Sequence, residues 1–159
     1  MIAHLDVDCF FAQVEELRLG LRDRPLGVQQ NMEVASVNYV AREFGLYNRI
    51  SVTKAKRMCP GLVLVRGDNG VNGMQRYRAA SQGVLRCIMG ALDELPEVPR
   101  DWSQRQCEQA SFDDFYLRLQ RFGDGSDGAA VAWARRLQHR VARVTGLQCS
   151  VGMARTKLL

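Results

Sequence analysis

The first sixteen residues constrain this chain more than any other stretch. Ile2-Ala3-His4-Leu5-Asp6-Val7-Asp8 is an apolar run that ends in two carboxylates, and Cys9-Phe10-Phe11-Ala12-Gln13-Val14-Glu15-Glu16 follows without a break. Successive strand side chains point to opposite faces, so Asp6 and Asp8 would project the same way where a strand gives out. Directly behind them Phe10, Val14 and Leu17 recur at i, i+4 and i+7, the spacing of one helix face. Phe11 falls off that stripe and is left to face whatever the carboxylates bind. Two acids on one face repel each other unless solvent or a cation separates them, and divalent magnesium prefers such oxygen ligands. A D-x-D pair by itself fits solvated turn acids as well as a nucleotide–metal site.

The chain has 159 residues, suited to one domain or a domain with a small insertion, and 47% of them are hydrophobic, enough to bury a core. Lys and Arg number 22 against 17 Asp and Glu, a net charge of +5 that fits a polyanionic partner. The five cysteines are odd in number and scattered, none forms a C-x-x-C pair, and the two histidines are far apart. That pattern argues against a zinc site and for free thiols in a reducing compartment. No signal peptide or membrane-length apolar run is present, so a soluble, intracellular protein without a membrane partner is expected.

Further along, Gly20 closes the first helix, and Pro25–Gln30 and Val34–Val37 read as short strands. Asn38–Phe44 looks helical and stops at Gly45. Ser51 can cap a helix that Pro60 ends, and Leu62–Val65 is a compact apolar strand. A Gly-rich loop over 67–73 precedes a long helix from about Met74 to Leu95, with Tyr77, Val84, Leu85, Ile88, Met89 and Leu92 inward. Pro96–Gln104, polar with two prolines, is a surface excursion. Ala110–Leu119 reads as two strands meeting at Asp113-Asp114, and Gly123–Gly128 as a turn. Ala130, Ala134, Leu137, Val141 and Val144 mark a helix whose other face carries Arg135, Arg136, His139, Arg140 and Arg143, and Leu147–Met153 is a last strand. Strands alternating with helices, with one hairpin, suggest a mixed sheet covered by helices on one side.

Asp113 and Asp114 supply a second acidic pair. Neighbouring strand residues point oppositely, so both could serve one metal site only at a bend; the alternative is a solvated hairpin turn. Phosphoryl transfer with two magnesium ions needs several carboxylates on adjacent strand ends and cations for a triphosphate. Tyr39 and Arg42, at i and i+3 on one short helix, could grip the same phosphates, or be a half-buried core ring and a solvated charge.

With these pieces in order, the chain resembles the Y-family, or translesion, DNA polymerases. The segments LDVDCFFAQVE, RPLGVQQ, VNYVAREFG, AKRMCPGLVLV, MQRYRAAS, EQASFDDFYL and CSVGMARTKLL occur in the family's order and cover nearly all of the chain. The short VQQ-to-NY spacing and the LGVQQ and LVLV wording are most similar to the eukaryotic iota type, with the eta type next. The resemblance implies an α+β fold: a mixed or antiparallel, ferredoxin-like palm sheet with helices on one face, and a small fingers insertion. Residues 1–24 and 74–159 would be palm and 25–73 fingers.

The resemblance also implies roles. Asp6, the Val7 carbonyl, Asp113 and Asp114 would hold two Mg2+ ions, for which Mn2+ could substitute, and the three acids would be catalytic. Asp8 matches the first motif's second acid, with a less direct role. Phe11 falls where the family keeps an aromatic steric gate beneath the sugar, Tyr39 and Arg42 match its triphosphate contacts, and Cys9 and Phe10 would join the nucleotide-binding group. The partners would be a DNA primer-template and a deoxynucleoside triphosphate, in the nucleus. Departures are visible: Asp114 stands where the family has glutamate and is one methylene shorter, Arg118 replaces an acid, and Glu33 replaces an apolar residue. The sequence stops at Leu159, so the thumb and little finger, and the regions that contact a sliding clamp, would lie outside it, and the fragment itself is expected to be inactive. A degenerate polymerase relative serving as a DNA-binding scaffold is the competing reading. A cyclase-like or phosphatase domain would explain the acids but not Phe11, Tyr39 and Arg42 together.

Overall fold

The structure, a computed structural model, describes residues 1–67, 74–95, 106–119 and 127–157. All but Gly67 of the loop expected over 67–73, the excursion over 96–104 and most of the turn over 123–128 lie outside those residues. The chain divides into two compact units, Met1–Asp8 with Ala80–Leu159, and Cys9–Ala79.

The first unit is built on a four-stranded antiparallel sheet. Its strands are β1 (Ile2–Val7), β6 (Cys107–Gln109), β7 (Asp114–Arg118) and β8 (Cys149–Ala154), in the order β6-β7-β1-β8. One face is apolar: Ala3, Leu5, Val7, Phe115 and Leu117 are at most 1% exposed. Two helices supply the rest of this core, α5 (Asp127–Thr145) through Ala130, Trp133, Leu137 and Val141, and the part of α4 (Gln75–Asp93) from Ala80 onward through Val84, Ile88 and Leu92. The Trp133 indole N–H donates to the Ala91 carbonyl at 3.3 Å and ties the helices together. Val144, expected on the buried stripe of α5, is exposed, and Trp133 is buried instead. The alternate strand residues, His4, Asp6, Tyr116, Arg118 and Ser150, stay half-buried or exposed, leaving a polar face open to water.

The second unit carries β2 (Leu26–Gln30), β3 (Glu33–Val37), the two-residue β4 (Ile50–Ser51) and β5 (Val63–Arg66), in the order β4-β3-β2-β5. Only β2 and β5 run parallel. The mixed sheet expected from the strand–helix alternation is therefore two four-stranded sheets, and the parallel pair belongs to the second. Helices α1 (Phe10–Leu19), α2 (Tyr39–Glu43) and α3 (Val52–Met58) belong to this unit with the first turn of α4. Ala12 of α1 packs with Leu26 and Val28 of β2, so α1 shares a core with the strands that follow it. On β2, a Cβ at Gly27 would lie 2.6 Å from the fully buried Val34 Cγ1, so glycine is required where β2 and β3 approach.

The acidic hairpin differs from expectation in one respect. The strands do not meet between Asp113 and Asp114; Asp114 is the first residue of β7, and the turn lies before it. Ser111 makes that turn. Its Oγ accepts from the amides of Asp113 and Asp114, at 3.3 and 3.2 Å, and donates to Asp113 Oδ1 at 2.5 Å.

Candidate active site

The acids of the first unit sit where the open face of its sheet ends. Asp6 and Asp114 are paired across the antiparallel ladder, which puts their side chains on the same face. Asp113 is bound beside them, its carbonyl accepting from the Val7 amide at 3.0 Å. The pKa of Asp6 is raised above the ordinary carboxylate value, first by partial desolvation and then by the charges of Asp114 and Asp113. Asp6 as a residue is open to solvent, so the repulsion is the part of that shift a bound cation would reverse. A bend precedes Asp114, and the charges of both acids of the second pair are felt at Asp6.

Asp8 lies just past β1 and is held from the neighbouring strand: Ser150 Oγ donates to its carboxylate at 2.8 Å, and its amide donates to the Gln148 carbonyl at 3.1 Å. Ser150 pairs with Asp6, so this bond holds the Asp8 carboxylate on the face expected of it. Asp6 and Asp8 also help push the buried Cys149 thiol up to about 12, after burial itself. His4, one pleat back on the same face, stacks on Tyr116 at 4.6 Å and places Nε2 2.9 Å from Asp114 Oδ1. Lys157 Nζ sits 4.2 Å from the Tyr116 ring centre and 2.8 Å from Glu108 Oε1.

Whether these acids suit divalent ions is tested by their donor set. Asp6, Asp113 and Asp114 offer hard carboxylate oxygens whose mutual repulsion a cation would relieve. Among the described residues no three His, Cys, Asp or Glu side chains converge closely enough to hold a metal in this arrangement. Asp114 Oδ1 is turned to His4 and Asp113 Oδ1 to Ser111. The oxygens of the set fit the ion chemically, and two of them are engaged by His4 and Ser111 in this structure.

The second unit holds the remaining expected residues. Asn38 starts α2, and its side-chain oxygen accepts from the Ala41 amide at 2.8 Å. That short helix presents Tyr39 and Arg42 together, the guanidinium carbon 5.4 Å from the ring centre, and both are exposed. Tyr39 is 55% exposed, so its ring is at most half-buried. Cys9, left-handed at φ 36° and ψ 49°, turns the chain into α1. Phe10 is buried and Phe11 half-buried, their rings edge-on at 5.3 Å. Phe11 lines a cavity of about 70 Å3 with Val28, Gln30, Ala35, Met74 and Tyr77.

Residues around that cavity escaped the sequence reading. Tyr77, taken only as a core ring, packs edge-on against Phe11, with centres 4.8 Å apart and planes at 75°. Glu15 is wholly buried, whereas Leu17, expected on the inner stripe, is 36% exposed. The signal was present: Glu15 lies three and four residues from Ala12 and Phe11, on the inward side of α1, and Arg18 follows at i+3.

Comparison with known proteins bears directly on this arrangement. Residues 5–159 match the impB/mucB/samB family, IMS. Mouse DNA polymerase iota is 47% identical over 89 residues, 55% of this chain and 12% of the relative. DNA polymerase IV of Francisella tularensis subsp. novicida is 31% identical over 99% of this chain and 42% of its own length. The chain thus spans about two fifths of that relative. In the solved structures, the Dbh ternary complex superposes with a TM-score of 0.79 at 26% identity, and DinB from Sulfolobus solfataricus with 0.75 at 26%, each covering 98–99% of this chain and 42% of theirs. The acids on the sheet end, the aromatic pair behind Cys9 and the Tyr39–Arg42 face thus lie in a chain that belongs to the impB/mucB/samB family, the Y-family of DNA polymerases.

Proposed function

We propose that this chain is the palm-and-fingers part of a DNA-directed DNA polymerase of the translesion class, which adds deoxynucleotides to a primer 3′-hydroxyl during damage bypass in the nucleus. The observation that carries the reading is the Asp6–Asp114 register pair with Asp113 in the adjoining turn, within a chain of this family. Asp6, the Val7 carbonyl, Asp113 and Asp114 would hold two Mg2+ ions, with Mn2+ as a substitute. Such ions supply Lewis-acid stabilisation of the transferring phosphoryl group and lower the pKa of the attacking hydroxyl.

The remaining roles belong to the chain's own groups. Arg42 offers a planar donor fork to the triphosphate, and the Tyr39 hydroxyl donates beside it. The Phe11 ring presents no hydrogen-bond partner to a 2′-hydroxyl and takes its space, so a deoxyribose is preferred. Cys9 and Phe10 fix the turn that presents Phe11. Asp8 adds negative charge near Asp6 and acts at one remove. Primer-template DNA would be the macromolecular partner, with sliding-clamp contacts made elsewhere in a longer protein.

Calorimetric titration of the chain with dCTP tests this reading. Binding that requires Mn2+ or Mg2+ and is lost in Asp113→Ala is expected; equal binding by both proteins refutes the site. One observation favours the scaffold alternative: Asp114 is shorter than the family's glutamate and is engaged by His4. A scaffold would bind without any metal requirement, so the same titration separates the two.

A further inference from the structure

Glu15 is a fully buried carboxylate with no place in the roles above. Its oxygens are divided between two tasks. Oε2 accepts from Arg18 Nε at 2.7 Å, on the same helix. Oε1 accepts from the Tyr77 hydroxyl at 2.6 Å and lies 2.8 Å from Arg76 Nε, an ion contact rather than a hydrogen bond. Burying a charge is expensive even when it is paired, and a well-packed apolar residue would commonly serve stability as well or better. What the carboxylate adds is direction: it ties down the far end of a phenol whose ring is 1% exposed. That ring stands edge-on to Phe11, and its centre is 6.3 Å from that of Phe10. Phe11 has no polar atom, so only its packing neighbours orient it. Burial, the Glu15 contact first among its partners, and the nearby charge raise the Tyr77 hydroxyl to about 12, which keeps it a donor at any physiological pH.

We propose that Glu15 is a positioning residue that acts through the Tyr77 hydroxyl to set the angle of the Phe11 ring, and so sets how strongly the site discriminates deoxyribose from ribose. The proposal rests on the reading that Phe11 faces the sugar. Edge-to-face contacts depend on ring orientation, and losing one costs about a two- to tenfold factor.

The test titrates the chain, in Mn2+, with dCTP and with CTP, and compares the ratio of affinities in five proteins. The wild type should favour dCTP and Phe11→Ala should abolish the preference. Tyr77→Phe, which removes one oxygen, and Glu15→Leu should each lower the ratio by about two- to tenfold. Glu15→Gln should keep it, because its amide oxygen can still accept from Tyr77 while the Arg18 contact is lost. A purely structural Glu15 would give a different pattern: lower stability in both Glu15 variants and an unchanged ratio in them and in Tyr77→Phe. If Glu15→Leu does not fold, Tyr77→Phe decides. A wild-type ratio in Tyr77→Phe alongside a lost preference in Phe11→Ala overturns the proposal alone. A wild-type ratio in Phe11→Ala, or a wild type that binds neither nucleotide, overturns the sugar-gate reading and this inference with it.

Discussion

Replacing Asn38 by alanine should cost about 3–7 kcal/mol of stability, although the change removes only a small polar side chain. Asn38 is 0% exposed and uses all four of its side-chain hydrogen-bonding positions. Oδ1 accepts from the amides of Ala41 at 2.8 Å and Leu26 at 3.0 Å. Nδ2 donates to the Arg24 carbonyl at 2.8 Å and to Glu16 Oε1 at 2.5 Å. The Ala41 bond is the cap of a helix of only five residues, far below the length at which a helix holds itself together, and a cap is worth about 1 kcal/mol. Leu26 is buried, so its orphaned amide costs about 1–3 kcal/mol, and the two lost donations add about 0.5–1.5 kcal/mol each. Whole domains have only about 5–15 kcal/mol to lose.

Urea unfolding should show a lower midpoint at unchanged slope. Because α2 carries Tyr39 and Arg42, triphosphate binding should weaken in parallel. Asn38→Asp keeps both acceptor roles but sets a second carboxylate against Glu16, whose own pKa burial already raises. An acid whose folded pKa is raised stabilises the fold at low pH and loses that contribution as pH rises, so this variant should regain stability on mild acidification. A cost under about 1 kcal/mol for the alanine variant would refute the assignment of Asn38 as the junction of α1, β2 and α2.

Other sites give sharper yes-or-no outcomes. Gly27→Ala drives a Cβ to 2.6 Å from Val34 Cγ1 in a packed core and should destabilise by about 1–3 kcal/mol in urea melts; a neutral result would mean that β2 and β3 can separate. Asp6 has a raised pKa, so its contribution to stability is present at low pH and lost as pH climbs through that raised value. Asp6→Asn should therefore raise the melting temperature at pH 7 while abolishing metal-dependent nucleotide binding, and a fall in melting temperature would contradict the repulsion. Asp114→Glu extends the carboxylate by about 1–1.5 Å, and should tighten Mn2+-dependent dCTP binding severalfold if reach limits the site.

The parts of the fold legible in the sequence are those decided by neighbours a few residues away. Strand alternation in Ile2–Val7, the Gly20 stop and the Ser51 cap all appear where their local chemistry puts them, the last with its Oγ accepting from the Lys54 amide at 3.3 Å. The same holds for Tyr39 beside Arg42, because i and i+3 on a helix is a local statement. What escaped is decided at long range. Nothing near β5 announces that it runs parallel to β2, and the two-residue β4 exists only because Val34 and Glu33 supply partners for Ile50 and Ser51. Leu17 and Glu15 exchange their expected places because the charges that make burial of Glu15 tolerable include Arg76, and the phenol it holds is Tyr77, both some sixty residues away. The acid turn shows the boundary between the two cases. Its D-D signal was local and marked where the chain turns, but the turn ends before Asp114, the first residue of β7, and is held by a single Ser111 hydroxyl that serves both amides. A site assembled from such parts advertises its charged groups in sequence and conceals the side chains that aim them: the Glu15–Arg18 spacing is visible, but the Tyr77 phenol that Glu15 holds and the partners of Asn38 outside its own helix are set by contacts between distant segments.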